Sequence, residues 1–103
     1  MNFKTGKMFE QHQAFIHVLE ERNRQDAKWG EQNHEQSVWL GILTEELGEY
    51  AQAINETVFD NGPDERAKGG IENMYRELSH VAAVAIAAME CLIRQANPDY
   101  PGK

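Results

Sequence analysis

Apolar side chains recur along this chain in three helical stretches. Met8, Phe15, Val18 and Leu19 follow at three- and four-residue steps within residues 7–26, and the opposite face is crowded with Glu20, Glu21, Arg22, Arg24 and Asp26. Residues 28–34, Lys-Trp-Gly-Glu-Gln-Asn-His, have no period, and Gly30 and Asn33 are loop formers. Ser37 is placed to cap a second helix running to about Phe59, with a stripe of Trp39, Ile42, Leu43, Tyr50, Ala53 and Ile54. Residues 60–64, Asp-Asn-Gly-Pro-Asp, end it, and Gly69-Gly70 can interrupt the restart. A third helix is predicted from about Ile71 to Gln95. Met74, Leu78, Val81, Ala82, Ala85, Met89 and Leu92 form its stripe, and Asn97-Pro98 stops it. No segment alternates with the period of a strand. The predicted class is all-α, a bundle of three main helices in one domain over residues 1–103, with 97–103 as a tail outside the core.

Two features depart from simple amphipathic helices. Residues 81–89 are apolar all round, so that stretch has to be covered on more than one side. Three helices do this poorly, and dimerisation would complete the bundle. A chain of 103 residues also buries its apolar surface inefficiently by itself. The second departure is Glu46, which lies within the second helix's apolar stripe, inside about 80° of Ile42, Tyr50 and Ala53. A carboxylate there is costly unless it is paired or coordinates a metal.

Glu45, Glu46 and Glu49 crowd one helix, and Glu77 and His80, three residues apart, are neighbours on the next. Carboxylates packed together repel unless a divalent cation neutralises them, and oxygen-rich sets suit Mg²⁺ or Mn²⁺. The same spacing is common on solvated helix faces, and His80 alone fits equally well as an interface histidine.

Composition narrows the partners. Seventeen acids against ten Lys and Arg give a net charge of −7, which disfavours nucleic-acid polymers and anionic membrane surfaces. A phosphate-bearing ligand would then need cations as intermediaries. The apolar run 81–89 is half the ~20 residues that span a bilayer, and residues 1–20 lack a signal-peptide apolar region. A single Cys91 cannot close an internal disulfide, which suits a reducing cytoplasm.

Glu45-Glu46-Leu47-Gly48-Glu49, followed after 27 residues by Glu77, resembles the EExxE…ExxD signature of the all-α nucleoside triphosphate pyrophosphohydrolases. That superfamily holds MazG, the dimeric dUTPases and the phosphoribosyl-ATP pyrophosphohydrolases. Residues 28–34 and the segment 77–85 are similar to small MazG-like proteins of phages and mobile elements. The resemblance covers roughly residues 15–93. It implies a dimer or a dimer of dimers that hydrolyses a (deoxy)nucleoside triphosphate to the monophosphate and pyrophosphate with Mg²⁺ or Mn²⁺, in nucleotide-pool house-cleaning. It also implies Glu46, Glu49 and Glu77 as metal ligands, and Glu45 as a ligand or the base orienting water. Lys28, Trp29, Asn33 and His34 become candidate substrate contacts, with Trp29 stacking on a base and Arg94 a further phosphate candidate.

His80 stands where the signature has Asp. Imidazole suits Mn²⁺, Fe²⁺ or Zn²⁺ better than Mg²⁺. The helical angle reads His80 as lying beside the metals and pointing toward the substrate or a partner subunit. Glu-x-x-His also resembles half of a di-iron carboxylate site, which would need a second copy. The alternative to an enzyme is a non-catalytic helical dimer that binds metal through the same cluster.

Overall fold

The structure, a computed structural model, describes residues 3–60 and 70–100, at 59 and 60 by backbone alone. The predicted break at residues 61–64 and Gly69 lie outside these residues. Among these residues there are three α-helices, α1 (Lys7–Trp29), α2 (Gln36–Asn55) and α3 (Ile71–Ala96), with a π-helical turn, Glu56–Asp60, continuing α2. Among the described residues there is no strand and no helix long and apolar enough to cross a membrane.

Helix α1 begins where the Glu10 carboxylate accepts the Gly6 backbone N–H at 3.0 Å, satisfying one of the first turn's free donors. It ends three residues later than its periodicity suggests. Gly30 closes it at φ +71°, a backbone region that side chains resist. Helix α2 starts at Gln36, ahead of the predicted Ser37 cap. The Glu35 carbonyl accepts the N–H groups of Val38 and Trp39, so Ser37 sits inside the first turn and caps nothing. The helical run then continues to Asp60, one residue past the expected end near Phe59, but its last five residues widen into the π turn.

Helix α3 is central and packs against both α1 and α2. His17 meets Tyr75 and Glu21 meets His80, so α1 runs parallel to α3. Trp39 packs near Ala87 and Cys91 while Glu46 faces His80, so α2 runs antiparallel. The core is Trp39, Val84, Ala87 and Cys91, with Ile42, Leu43 and Ala88 against it. The buried positions of α3 are Ser79, Ala83, Val84, Ala87 and Cys91. They lie beside the predicted stripe, whose Leu78, Met89 and Leu92 are exposed. Small side chains let three backbones approach closely, and the larger ones are left on the flanks.

Helix α1 departs further from its pattern. Its apolar residues face outward, with Phe15 67% and Leu19 59% exposed, and its one buried residue is Arg22. With Val18, Ala82 and Ile86, Phe15 and Leu19 line an open apolar groove between α1 and α3.

Gly70, just before α3, lies so close to the π turn that an added Cβ would sit 2.3 Å from Thr57 Cγ2 and 2.7 Å from its Oγ1. Thr57 is buried, and its hydroxyl donates to the Ala53 carbonyl at 2.7 Å. Gly70→Ala should therefore destabilise the fold by about 1–3 kcal/mol, the usual cost of overpacking. Thr57→Ala removes both clashing atoms, so thermal denaturation of the double mutant should recover part of that loss. Simple additivity of the two substitutions would show that the close approach is not the cause.

Candidate metal centre

Antiparallel packing of α2 on α3 sets Glu46 against Glu77 and His80. One donor atom from each of the three lies within 4.8 Å of the others. His80 Nδ1 is 3.5 Å from Glu77 Oε2 and 4.0 Å from Glu46 Oε2. Those same two oxygens are buried and accept no hydrogen bond. A buried carboxylate oxygen without a donor is expensive, and two such oxygens with an imidazole nitrogen are a donor set that could hold a divalent cation. Two ligands opposite each other across Mg²⁺ stand about 4.2 Å apart, twice a bond of ~2.1 Å. Neighbouring ligands stand about 3.0 Å apart by the same geometry, so the cluster is wider than one ion's shell and has to contract to close on it.

Burial pushes the Glu46 carboxyl above the ordinary carboxylate range. The neighbouring charges of Glu49 and Glu77 add to the rise, and His80 opposes it. Glu49, one turn on from Glu46, is exposed, and lines a polar groove with Gln52, Ala53, Glu56, Asn73 and Glu77. The π turn forms one end of this groove by supplying Glu56. Glu45 is exposed and stands outside the three-residue cluster.

The other candidate residues lie toward the far end of the molecule. Along α3, Arg94 is 14 residues beyond His80, about 21 Å at 1.5 Å per residue. Arg94 donates to the Asn33 side-chain oxygen and to the Gln32 carbonyl, both at 2.9 Å, and so pins the α1–α2 loop. Asn33 also donates to Glu31 at 3.0 Å. The His34 ring stands edge-on to the buried Trp39 at 4.9 Å between centroids. Lys28 Nζ covers the exposed Trp29 ring at 4.8 Å. Within one chain these residues form a separate group from the carboxylates. Gly30, Glu31 and Gln32 border a cleft there with Arg22, Trp39, Glu90 and Arg94.

Comparison with protein-family models, with curated proteins and with solved structures finds no match to this chain. The site is therefore defined by its own geometry.

One member was missed by the sequence reading. Glu21 of α1 brings Oε1 to 3.6 Å from His80 Nε2, and its side chain is only 13% exposed. Arg24 holds the same oxygen at 2.7 Å. Glu21 reads as one of many charges on a polar face. The signal lay in that face as a whole, because it also carries Arg22 and is the side α1 turns toward α3.

The raised Glu46 carboxyl fixes the sign of a pH effect. The folded chain holds this proton more tightly than the unfolded chain does, so Glu46 contributes stability at acid pH that is lost as pH rises through its elevated range. In metal-free protein, Glu46→Gln should therefore raise Tm at pH 7, by about 4–8 °C for each kcal/mol of repulsion relieved. The gap should narrow toward pH 4. Circular-dichroism melts across that range check both the sign and the trend.

Proposed function

We propose that this chain is a divalent-metal-dependent nucleoside triphosphate pyrophosphohydrolase of the all-α, MazG-like kind, acting in nucleotide-pool house-cleaning. The observation carrying the proposal is the pair of buried, donorless oxygens of Glu46 and Glu77 facing His80 Nδ1. Glu46 and Glu77 would hold the metal, Mg²⁺ or Mn²⁺, with Glu49 one turn from Glu46 as a further ligand. A cation held there would neutralise a triphosphate and acidify a bound water. The chain's own side chains do the rest. They hold that charge at the mouth of a polar groove, and their acidity repels any phosphate that arrives without a cation.

The substrate proposal draws on the resemblance of residues 45–49 and 77–85 to these enzymes. Lys28, Trp29, Asn33 and His34 stand apart from the carboxylates within one chain, so as base and phosphate contacts they would act on a substrate held by the cluster of a partner subunit. A cytoplasmic setting is part of the same proposal and accords with the free, buried Cys91.

We also propose that the working form is a homodimer or tetramer. The exposed apolar residues of α1 and α3, among them Phe15, Leu19, Met89 and Ile93, support it. The same surface favours a second reading, a non-catalytic helical dimer whose metal assists assembly.

Incubation with a panel of nucleoside triphosphates plus Mg²⁺ or Mn²⁺ should release pyrophosphate. Glu46→Gln should lower that rate on the order of 10²-fold, the scale of removing one charge-stabilising group, while far-UV circular dichroism stays unchanged. No pyrophosphate from any triphosphate would leave the non-catalytic reading in place.

Light scattering at micromolar concentration should give two or four times 11.8 kDa. Leu19→Glu, at an exposed position, should halve that mass without unfolding the protomer. A wild-type monomer would remove assembly from the proposal.

A further inference from the structure

His80 is in contact with carboxylates from all three helices, and its two ring nitrogens divide them. Nδ1 faces the donorless oxygens of Glu77 on α3 and Glu46 on α2, whereas Nε2 faces Glu21 on α1 at 3.6 Å. This is the layout of a carboxylate–histidine–metal triad, in which one nitrogen binds the ion and the N–H of the other donates a hydrogen bond to an outer carboxylate. We infer that His80 is a metal ligand through Nδ1 and that Glu21 is its positioning residue, giving the centre a preference for Mn²⁺ or Co²⁺ over Mg²⁺. The inference rests on the reading of the Glu46–Glu77–His80 cluster as a metal centre, and it assigns roles that the carboxylate signature does not contain.

Three observations support the division of labour. Glu21 is well buried for a carboxylate, and Arg24 fixes its Oε1 through Nη2 at 2.7 Å and Nε at 2.8 Å. The acceptor thus stands in place before any metal arrives. A short shift of the imidazole brings Nε2 from 3.6 Å into hydrogen-bond range, and the same cluster must contract to close on an ion. With the Nε2 proton directed at Glu21, the lone pair is on Nδ1, where the two unpaired oxygens converge. Imidazole also changes what the site selects. Nitrogen ligation favours Mn²⁺ and later divalent metals, whereas Mg²⁺ prefers oxygen.

The test is titration of the full-length chain with Co²⁺, followed by visible absorption and proton NMR. The expected result is saturable binding with a paramagnetically shifted, exchangeable imidazole N–H resonance that vanishes in D₂O and in His80→Gln. Glu21→Gln, of the same size, should weaken Co²⁺ binding about 10–100-fold, as loss of an outer carboxylate does, and shift or broaden that resonance with helicity unchanged. His80→Asp should move the metal preference toward Mg²⁺.

Co²⁺ binding with no imidazole resonance, and with His80→Gln binding equally well, would overturn the inference while leaving the cluster a metal centre. An unchanged affinity and an unchanged resonance in Glu21→Gln would overturn the role of Glu21. Failure of the wild-type chain to bind Co²⁺ would overturn both the inference and the metal centre beneath it. The wild-type resonance needs no variant, so a Glu21 variant that misfolded would still leave the ligand assignment decided.

Discussion

The placement of α1 depends on one charged contact. Arg22 is the helix's sole buried residue, and its guanidinium grips Glu90 of α3 with two bonds, Nε to Oε2 at 3.1 Å and Nη2 to Oε1 at 2.6 Å. Asp26 and Gln25 take further donors at 2.8 and 3.0 Å. The Glu90 bond leads the effects that hold the guanidinium's pKa above its ordinary value. Taking such a pair out of water offsets much of its attraction, so its net gift to stability is modest. Its larger effect is on alignment. An apolar face can slide, whereas a forked guanidinium has one register. That register runs α1 parallel to α3, sets His17 beside Tyr75 and delivers Glu21 to His80.

The carboxylate centre and the loop end answer to different constraints. At one end, charges of like sign are gathered where solvent is partly excluded, which raises the Glu46 carboxyl and opposes folding. At the other, Arg94 ties down residues 32 and 33, and the Tyr100 hydroxyl reaches Glu31. Acidic and basic groups alternate there, so charge is balanced locally. The chain is strained electrostatically at the first end and relaxed at the second. Such a contrast is expected where a protein keeps a binding centre at some cost to its own stability.

Much of this was legible in the sequence. The three helices follow from spacing, and Glu46 announced itself by interrupting an apolar stripe on α2, because one charge among Ile42, Tyr50 and Ala53 has few explanations. Glu77 and His80 followed as neighbours at three residues. Glu21 was not legible, since a charge among charges carries no contrast. Nor was the face that α1 buries. The periodic stripe of Phe15 and Leu19 marks an apolar surface but does not say whether it meets the chain's own core or the outside. The shift of α3 from its large residues to its small ones has the same origin. Hydropathy ranks Leu and Met above Ala and Ser, whereas close helix approach ranks them the other way.

That small-residue spine inverts the usual map of mutational tolerance. In most helical domains the bulky aliphatic positions resist change and the alanines absorb it. Here Ala83 is completely enclosed and Ala87 nearly so, while Met89 and Ile93 stand largely in the open. Adding one or two methyl groups at Ala83 would wedge the helices apart, whereas exchanging Ile93 for a polar residue would leave the protomer's packing untouched. Along the packed face of α3, sequence constraint thus falls on Ala83 and Ala87 rather than on its bulky aliphatic residues.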